Sequence, residues 1–258
     1  MRLSPLSAAI IIAAVVGIRI GVLPSLGVET YFQRGLEACS GLGLLLAALS
    51  FERGDPPLRP WALLAGALLL VPLARAALAS EVVLADAKLG HLLLILSNFL
   101  SIAALLAFRR VLLSTGLTPE WTPGARKGAL AIGGLLVAAC LALMGFTLSE
   151  TDLAHLSPPA LIALGVTIIS IIADTIMCGI GILLVRLVAP MMGGSVALPY
   201  VLVALGGGVF LLVDLFSVLQ QVTTQDQFDA PIPIALATIG WAAFTLAGLS
   251  QRGIVRGG

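Results

Sequence analysis

Apolar residues in this chain fall in long runs, separated by short stretches where charges, prolines and glycines gather. Eight such runs follow one another: Leu6 to Leu26, Leu36 to Phe51, Trp61 to Ala79, Leu89 to Phe108, Gly128 to Leu148, Pro159 to Leu187, Val196 to Gln221 and Pro231 to Leu249. A hydrocarbon core about 30 Å thick takes roughly 20 apolar residues per helical crossing. The pattern therefore predicts an all-α, polytopic bundle of eight transmembrane helices. The second run is short and the sixth long, so the ends of those two elements are the least sharply drawn.

Composition agrees with this picture. The 258 residues are 59% hydrophobic and 10% charged, against about 25% charged in ordinary soluble domains. Mean hydropathy is +1.12. Orientation follows from where Lys and Arg collect, because cytoplasmic loops carry the positive excess. Arg2, Arg53, Arg59, Arg109, Arg110, Arg126, Lys127, Arg186, Arg252 and Arg256 all fall on one side of an eight-crossing chain, whereas Glu29, Glu81, Asp86, Glu150, Asp152, Asp226 and Asp229 fall on the other. Both termini are thus expected in the cytoplasm of a bacterial cell, with the protein multi-pass in the inner membrane. The excess of Arg over Lys, with abundant Ala, Gly and Leu, suits a GC-rich genome. A net charge of +1 gives no reason to expect nucleic acid, since topology accounts for the basic residues.

Met1-Arg2 and the apolar run after it resemble a secretory signal, but Arg19 interrupts the run and no A-x-A-like cleavage site follows. The first helix is read as retained. Cys39, Cys140 and Cys178 all lie in predicted helices with no CxxC spacing, as small buried hydrophobes do. No extramembrane stretch is long enough to fold alone, so residues 1–258 read as one transmembrane domain. The longest connection, "RRVLLSTGLTPEWTPGARK", separates halves 1–115 and 124–258. Each half would leave and re-enter the cytoplasm, which admits a parallel four-plus-four repeat. Gly206 to Gly208 and the "GLGLL" at Gly41 to Leu45 offer close helix approach; "APMMGG" reads as a short cytoplasmic turn.

The chemistry that needs explaining is the charge inside the runs. A carboxylate or guanidinium near the bilayer centre costs about 2.5 to 3.5 kcal/mol, so it faces a partner or a water-filled cavity. In "TIISIIADTIMCGIGILLVR", Thr167, Ser170, Asp174 and Cys178 share one helix face. In "GGGVFLLVDLFSVLQQ", Gly207, Asp214, Ser217 and Gln221 do the same. Helix four brings His91, Ser97, Asn98 and Ser101; the first three helices bring Arg19, Glu37 and Arg75. At 1.5 Å per residue, Asp174 lies near the midplane and the others lie in the outer half, which predicts a polar pocket open to the periplasm. Arg19, Glu37, Arg75, His91, Asn98, Asp174 and Asp214 are the candidate ligand-binding residues. The plainer reading is that these charges neutralise one another as interhelical ion pairs.

No nucleophile, base and orienter assemble, so no catalytic residue is assigned. No metal site is expected either: His155, beside Glu150 and Asp152, matches no standard ligand spacing. Lys88 and Lys127 sit at helix boundaries, where a Schiff-base lysine for retinal would not; paired haem histidines are also missing. The apolar inner half gives a proton pump no through-path. No cofactor is expected.

From Asp174 to Arg252 the chain resembles the eight-helix sensory modules of bacterial diguanylate cyclases and histidine kinases. An embedded Asp precedes "GILLVRLV", a short turn follows, and then come "ALPYVLVALGGGVFLLVDLFSVLQQ" and a helix bearing Trp241. The resemblance implies a sensor. Because the sequence stops at "QRGIVRGG", its output would need a separate cytoplasmic or membrane partner, or the chain is a fragment. A looser likeness, carried by "LLVDLFSVL", is to lysoplasmalogenase-like membrane hydrolases; the acidic residue those enzymes carry in the first half is replaced here by Arg75, in "LLVPLARAALASE". The sequence thus favours a sensory or binding module that contacts lipid and takes a periplasmic ligand. Arg19 and Arg75 would face an anion, and Asp174 and Asp214 would hold them in the empty state. A lipid hydrolase, a small-solute transporter and a structural subunit of a larger complex stay open.

Overall fold

The computed structural model describes residues 3–80, 82–84, 87–119, 122–149, 151–152, 155–192, 194–224 and 231–257. Arg2, Glu81, Asp86, Glu150, Asp226 and Asp229 lie outside the described residues, as do the side chains of Ser217 and Gln221. The described chain forms eight α-helices: α1 Pro5–Gly21, α2 Glu29–Ala48, α3 Leu58–Ala79, α4 Leu89–Ser114, α5 Pro123–Ser149, α6 Pro158–Val188, α7 Leu198–Thr224 and α8 Pro231–Gly257. Helices α3 to α8 supply six segments long and apolar enough to cross a membrane. Helix α1 is apolar but only 17 residues long. Helix α2 has the length but carries Glu29, Arg34 and Glu37. A two-stranded antiparallel ribbon, β1 Val83–Leu84 with β2 Ala87–Lys88, joins α3 to α4; no apolar periodicity announces so short an element.

Helix ends follow local chemistry more closely than hydropathy does. Helix α2 starts seven residues before its apolar run because Glu29 in the first turn complements the partial positive charge of a helix N-terminus. Helix α1 begins with a cap in which the Ser4 hydroxyl accepts from the Ser7 N–H at 3.0 Å. The chain leaves it through a 3-10 turn over Leu23–Leu26, closed by Gly27 at φ 64°, where a side chain would be strained.

Six helices form a closed circuit in which α2 packs on α3, α3 on α4, α4 on α6, α6 on α7, α7 on α8 and α8 back on α2. Helix α1 leans on α8 from outside, and α5 leans on α6 and α7. The circuit closes where α2 crosses α8: a Cβ on Gly248 would overlap the backbone of Gly43 and Leu44, and one on Gly43 would come 2.9 Å from the Thr245 carbonyl. In a bilayer, where lipid is as apolar as leucine, such close backbone approach is what holds helices together.

Because neighbours in sequence run antiparallel, the bundle has two ends of unlike charge. Arg53, Arg59, Arg109, Arg110, Arg126, Lys127, Arg186, Arg252 and Arg256 gather at the basic end, with Glu52 and Asp55 among them; Glu29 and Asp152 lie at the other, the acidic end, with Arg34 and Lys88. The core is densest toward the basic end. Trp61, Phe108 and Tyr200, from α3, α4 and α7, meet with centroids 4.8 Å apart for Trp61–Phe108 and 5.7 Å for Phe108–Tyr200, both edge to face. Leu64, Leu184, Val188 and Val203 complete this apolar filling.

Candidate functional site

Toward the acidic end the embedded charges separate into two sets. The first is built by α1, α2 and α3. Glu37 is fully buried. Its Oε1 accepts from Arg75 Nε at 3.2 Å and from Gln33 Nε2 at 3.1 Å, while Oε2 is buried without a partner among the described residues. Gln33 reaches Glu37 because residues four apart share a helix face. Arg75, placed four residues before its own helix ends, keeps 52% of its side chain exposed. One end of this ion pair is buried and the other is exposed.

Arg19 belongs to the same region but not to that pair. It occupies the last turn of α1, where a cation is favoured, and is only 9% exposed. Its Nε has no hydrogen-bond partner among the described residues. The side chain lines a cavity of about 520 Å³ between α1, α2 and α8, together with Pro24, Glu29, Thr30, Pro231 and Ile234. The cavity thus holds a guanidinium from one helix C-terminus and a carboxylate from the next helix N-terminus, set by the same Gly27 turn.

The second set joins α4, α6 and α7. Asn98 donates its Nδ2 to Ser170 Oγ at 2.9 Å, tying α4 to α6, and Ser97 Oγ donates to the Ala67 carbonyl at 2.8 Å, tying α4 to α3. One turn further along α6, the carboxyl groups of Asp174 and Asp214 lie within interaction reach of each other, where α6 packs on α7. Asp214 Oδ2 remains buried without a partner. Small residues make the approach feasible: a Cβ on Gly208 would stand 3.7 Å from Cys178 Sγ, and one on Gly207 3.7 Å from Met177 Cβ.

Each candidate ligand-binding residue can now be placed. Glu37 meets Arg75, Asn98 meets Ser170, and Asp174 meets Asp214. Arg19 lines a cavity, and His91 stands in the first turn of α4 with a buried, unpartnered Nδ1. The expected pairing of the two aspartates with Arg19 and Arg75 is corrected: Arg75 is taken by Glu37, one helix away, and the aspartates take each other, because α6 and α7 are adjacent in the circuit. His155 makes a 2.8 Å contact with Asp152, both well exposed, and among the described residues no group of three His, Cys, Asp or Glu side chains is close enough to hold a metal. Gln33, Glu29 and Thr30 were not foreseen as site residues. An earlier start for α2 would have put Gln33 four residues from Glu37 and revealed it.

No protein-family model matches this chain, and neither a curated protein nor a solved structure matches it significantly.

Proposed function

We propose that the protein is a multi-pass binding module of a bacterial inner membrane, sensory in type, which takes a small anionic or zwitterionic solute from the periplasm. In this reading all eight helices cross, both termini are cytoplasmic, and the acidic end faces the periplasm. The observation that carries the proposal is Arg19, nine-tenths buried, unpartnered at Nε, on the wall of a 520 Å³ polar cavity. A buried guanidinium with an open donor is costly unless something accepts from it. A solute carboxylate would meet Arg19, and an ammonium group would meet Glu29. Helix α8 contributes Pro231 and Ile234 to the cavity and is meshed with α2 through Gly43 and Gly248. Occupancy would therefore bear on α8, which extends to the basic end, where a cytoplasmic partner would be engaged. The moving parts in this reading are α1 and α8.

The test is thermal unfolding of the purified protein in detergent with acetate, phosphate and neutral amino acids at millimolar concentration. A carboxylate-bearing probe should raise the unfolding temperature of the unmodified chain and not of Arg19→Gln. Glu29→Gln should weaken amino acids while leaving acetate unaffected or stronger. No shift with any probe would remove the reading.

One observation favours a second reading, lipid hydrolysis. Paired carboxyl groups are a recurrent acid and base arrangement, and Asp174 and Asp214 stand together where α6 packs on α7. Release of fatty acid, aldehyde or headgroup from a total-lipid extract, abolished in both Asp174→Asn and Asp214→Asn, would decide for this reading against the first.

A further inference from the structure

The α1 and α8 pair has a second hollow, at its opposite end. Leu3 and Ile11 from the start of the chain face Leu246, Leu249, Arg252, Gly253 and Arg256 of α8 around a cavity of about 460 Å³. That volume lies within the range typical of small-molecule sites. Its walls are apolar, and two of them open sideways: Ile11 is 37% exposed and Leu249 39%, on the side of the bundle that hydrocarbon would cover. At its rim stand Arg252 and Arg256, four residues apart and hence on one helix face. Among the described residues neither arginine has an ion-pair partner.

We infer that this groove is a binding site for an anionic phospholipid, with an acyl chain between α1 and α8 and the phosphate between Arg252 and Arg256. Charge topology explains arginines at this end of the helix; it does not explain an apolar slot leading away from them. An acyl chain alone would need no arginine, and a soluble phosphate would need no Leu246, Leu249 and Ile11. A phospholipid uses both. Guanidinium suits the phosphate, since its planar fork can donate two hydrogen bonds at once. A second copy of this chain is a poorer occupant, because a two-fold interface pairs a patch with itself and would set two arginines of each copy against their equivalents.

The experiment uses the full chain in a neutral detergent, titrated with dioleoyl phosphatidylglycerol, dioleoyl phosphatidylcholine or glycerol 3-phosphate, with bound lipid read by native mass spectrometry. Phosphatidylglycerol should be retained at least tenfold more strongly than phosphatidylcholine, and glycerol 3-phosphate should not compete. The double change Arg252→Gln with Arg256→Gln should weaken phosphatidylglycerol about thirtyfold, from roughly a kilocalorie per mole for each cation at a membrane surface. Leu249→Trp keeps both charges and fills the groove, and it should also lose the lipid. Equal retention of the two lipids would overturn the assignment, as would undiminished phosphatidylglycerol binding by Leu249→Trp. The headgroup comparison on the unmodified chain needs no variant, so it decides even where a variant does not fold.

Discussion

The two ends of the bundle solve the problem of filling a helical circuit in opposite ways. Toward the basic end, α3, α4 and α7 interlock through Trp61, Phe108 and Tyr200, each ring meeting another at an edge, with aliphatic side chains closing the remaining space. Toward the acidic end the helices meet through Glu37 and Arg75, Asn98 and Ser170, and Asp174 and Asp214, and polar atoms are left over. Of the six buried, unpartnered side-chain atoms among the described residues, Arg19 Nε, Glu37 Oε2, His91 Nδ1 and Asp214 Oδ2 lie in that half; Trp61 Nε1 and Gln251 Oε1 lie toward the other. Packing alone would replace such groups by apolar side chains of similar volume at no loss of stability. The difference teaches where in the interior to look for function: the interior of the basic half is filled by structure, while that of the acidic half retains charge that structure does not require.

The comparison breaks most readily where the dry half is emptied. Trp61 is fully buried, and Trp61→Ala removes the ring on which both other aromatics rest. A loss of about 3 to 5 kcal/mol is expected, read as a large drop in unfolding temperature in detergent, with binding at the acidic end retained wherever the variant folds. A drop no larger than that of an exposed alanine substitution would mean that the aromatic cluster is not the structural centre. Next in size is the crossing that spans both halves. Gly248→Leu must push α8 off α2, since even a Cβ meets the backbone of Gly43; overpacking of this kind costs about 1 to 3 kcal/mol. The control is Gly133→Leu on α5, where a Cβ meets nothing within 4 Å and almost no change should follow.

These two cases also show how far the amino-acid pattern could be read. Eight helical segments were legible, because crossing length and apolar character are properties of a run. The glycine positions and the embedded charges were legible as a class, because both are anomalous inside such runs. Partner choice was not. Arg75 could have met Asp174 or Glu37, and only the neighbour relations of α2, α3, α6 and α7 decide between them; hydropathy contains no information on which helix packs on which. The start of α2 was hidden because Glu29, Gln33, Arg34 and Glu37 depress hydropathy over two helical turns. That error cost the site three residues, Glu29, Thr30 and Gln33, since a segment read as a loop gives no helical spacing to follow. The cavity beside Arg19 was out of reach for a related reason. Its walls come from α1, α2 and α8, which are brought together by the closure of a circuit that no local pattern specifies.

The smallest expected effect is the most discriminating. If Arg19 were one more structural ion, replacing it with an apolar residue would strip a buried partner of its counter-charge and cost several kilocalories per mole. No such partner is seen: its Nε is unpaired among the described residues, and Glu37 already holds Arg75 and Gln33. Arg19→Leu should therefore leave the empty protein as stable as the parent or more stable, because it removes a desolvated guanidinium and keeps the aliphatic contact of the stem with the cavity wall. The same variant should lose the stabilisation that a carboxylate probe gives the unmodified chain. A residue that costs nothing to remove in the empty state and everything in the bound state is held for its ligand. A clear destabilisation of the empty Arg19→Leu protein would instead place Arg19 with Glu37 and Arg75 in the framework, and the contrast between the two ends would then be one of packing style alone.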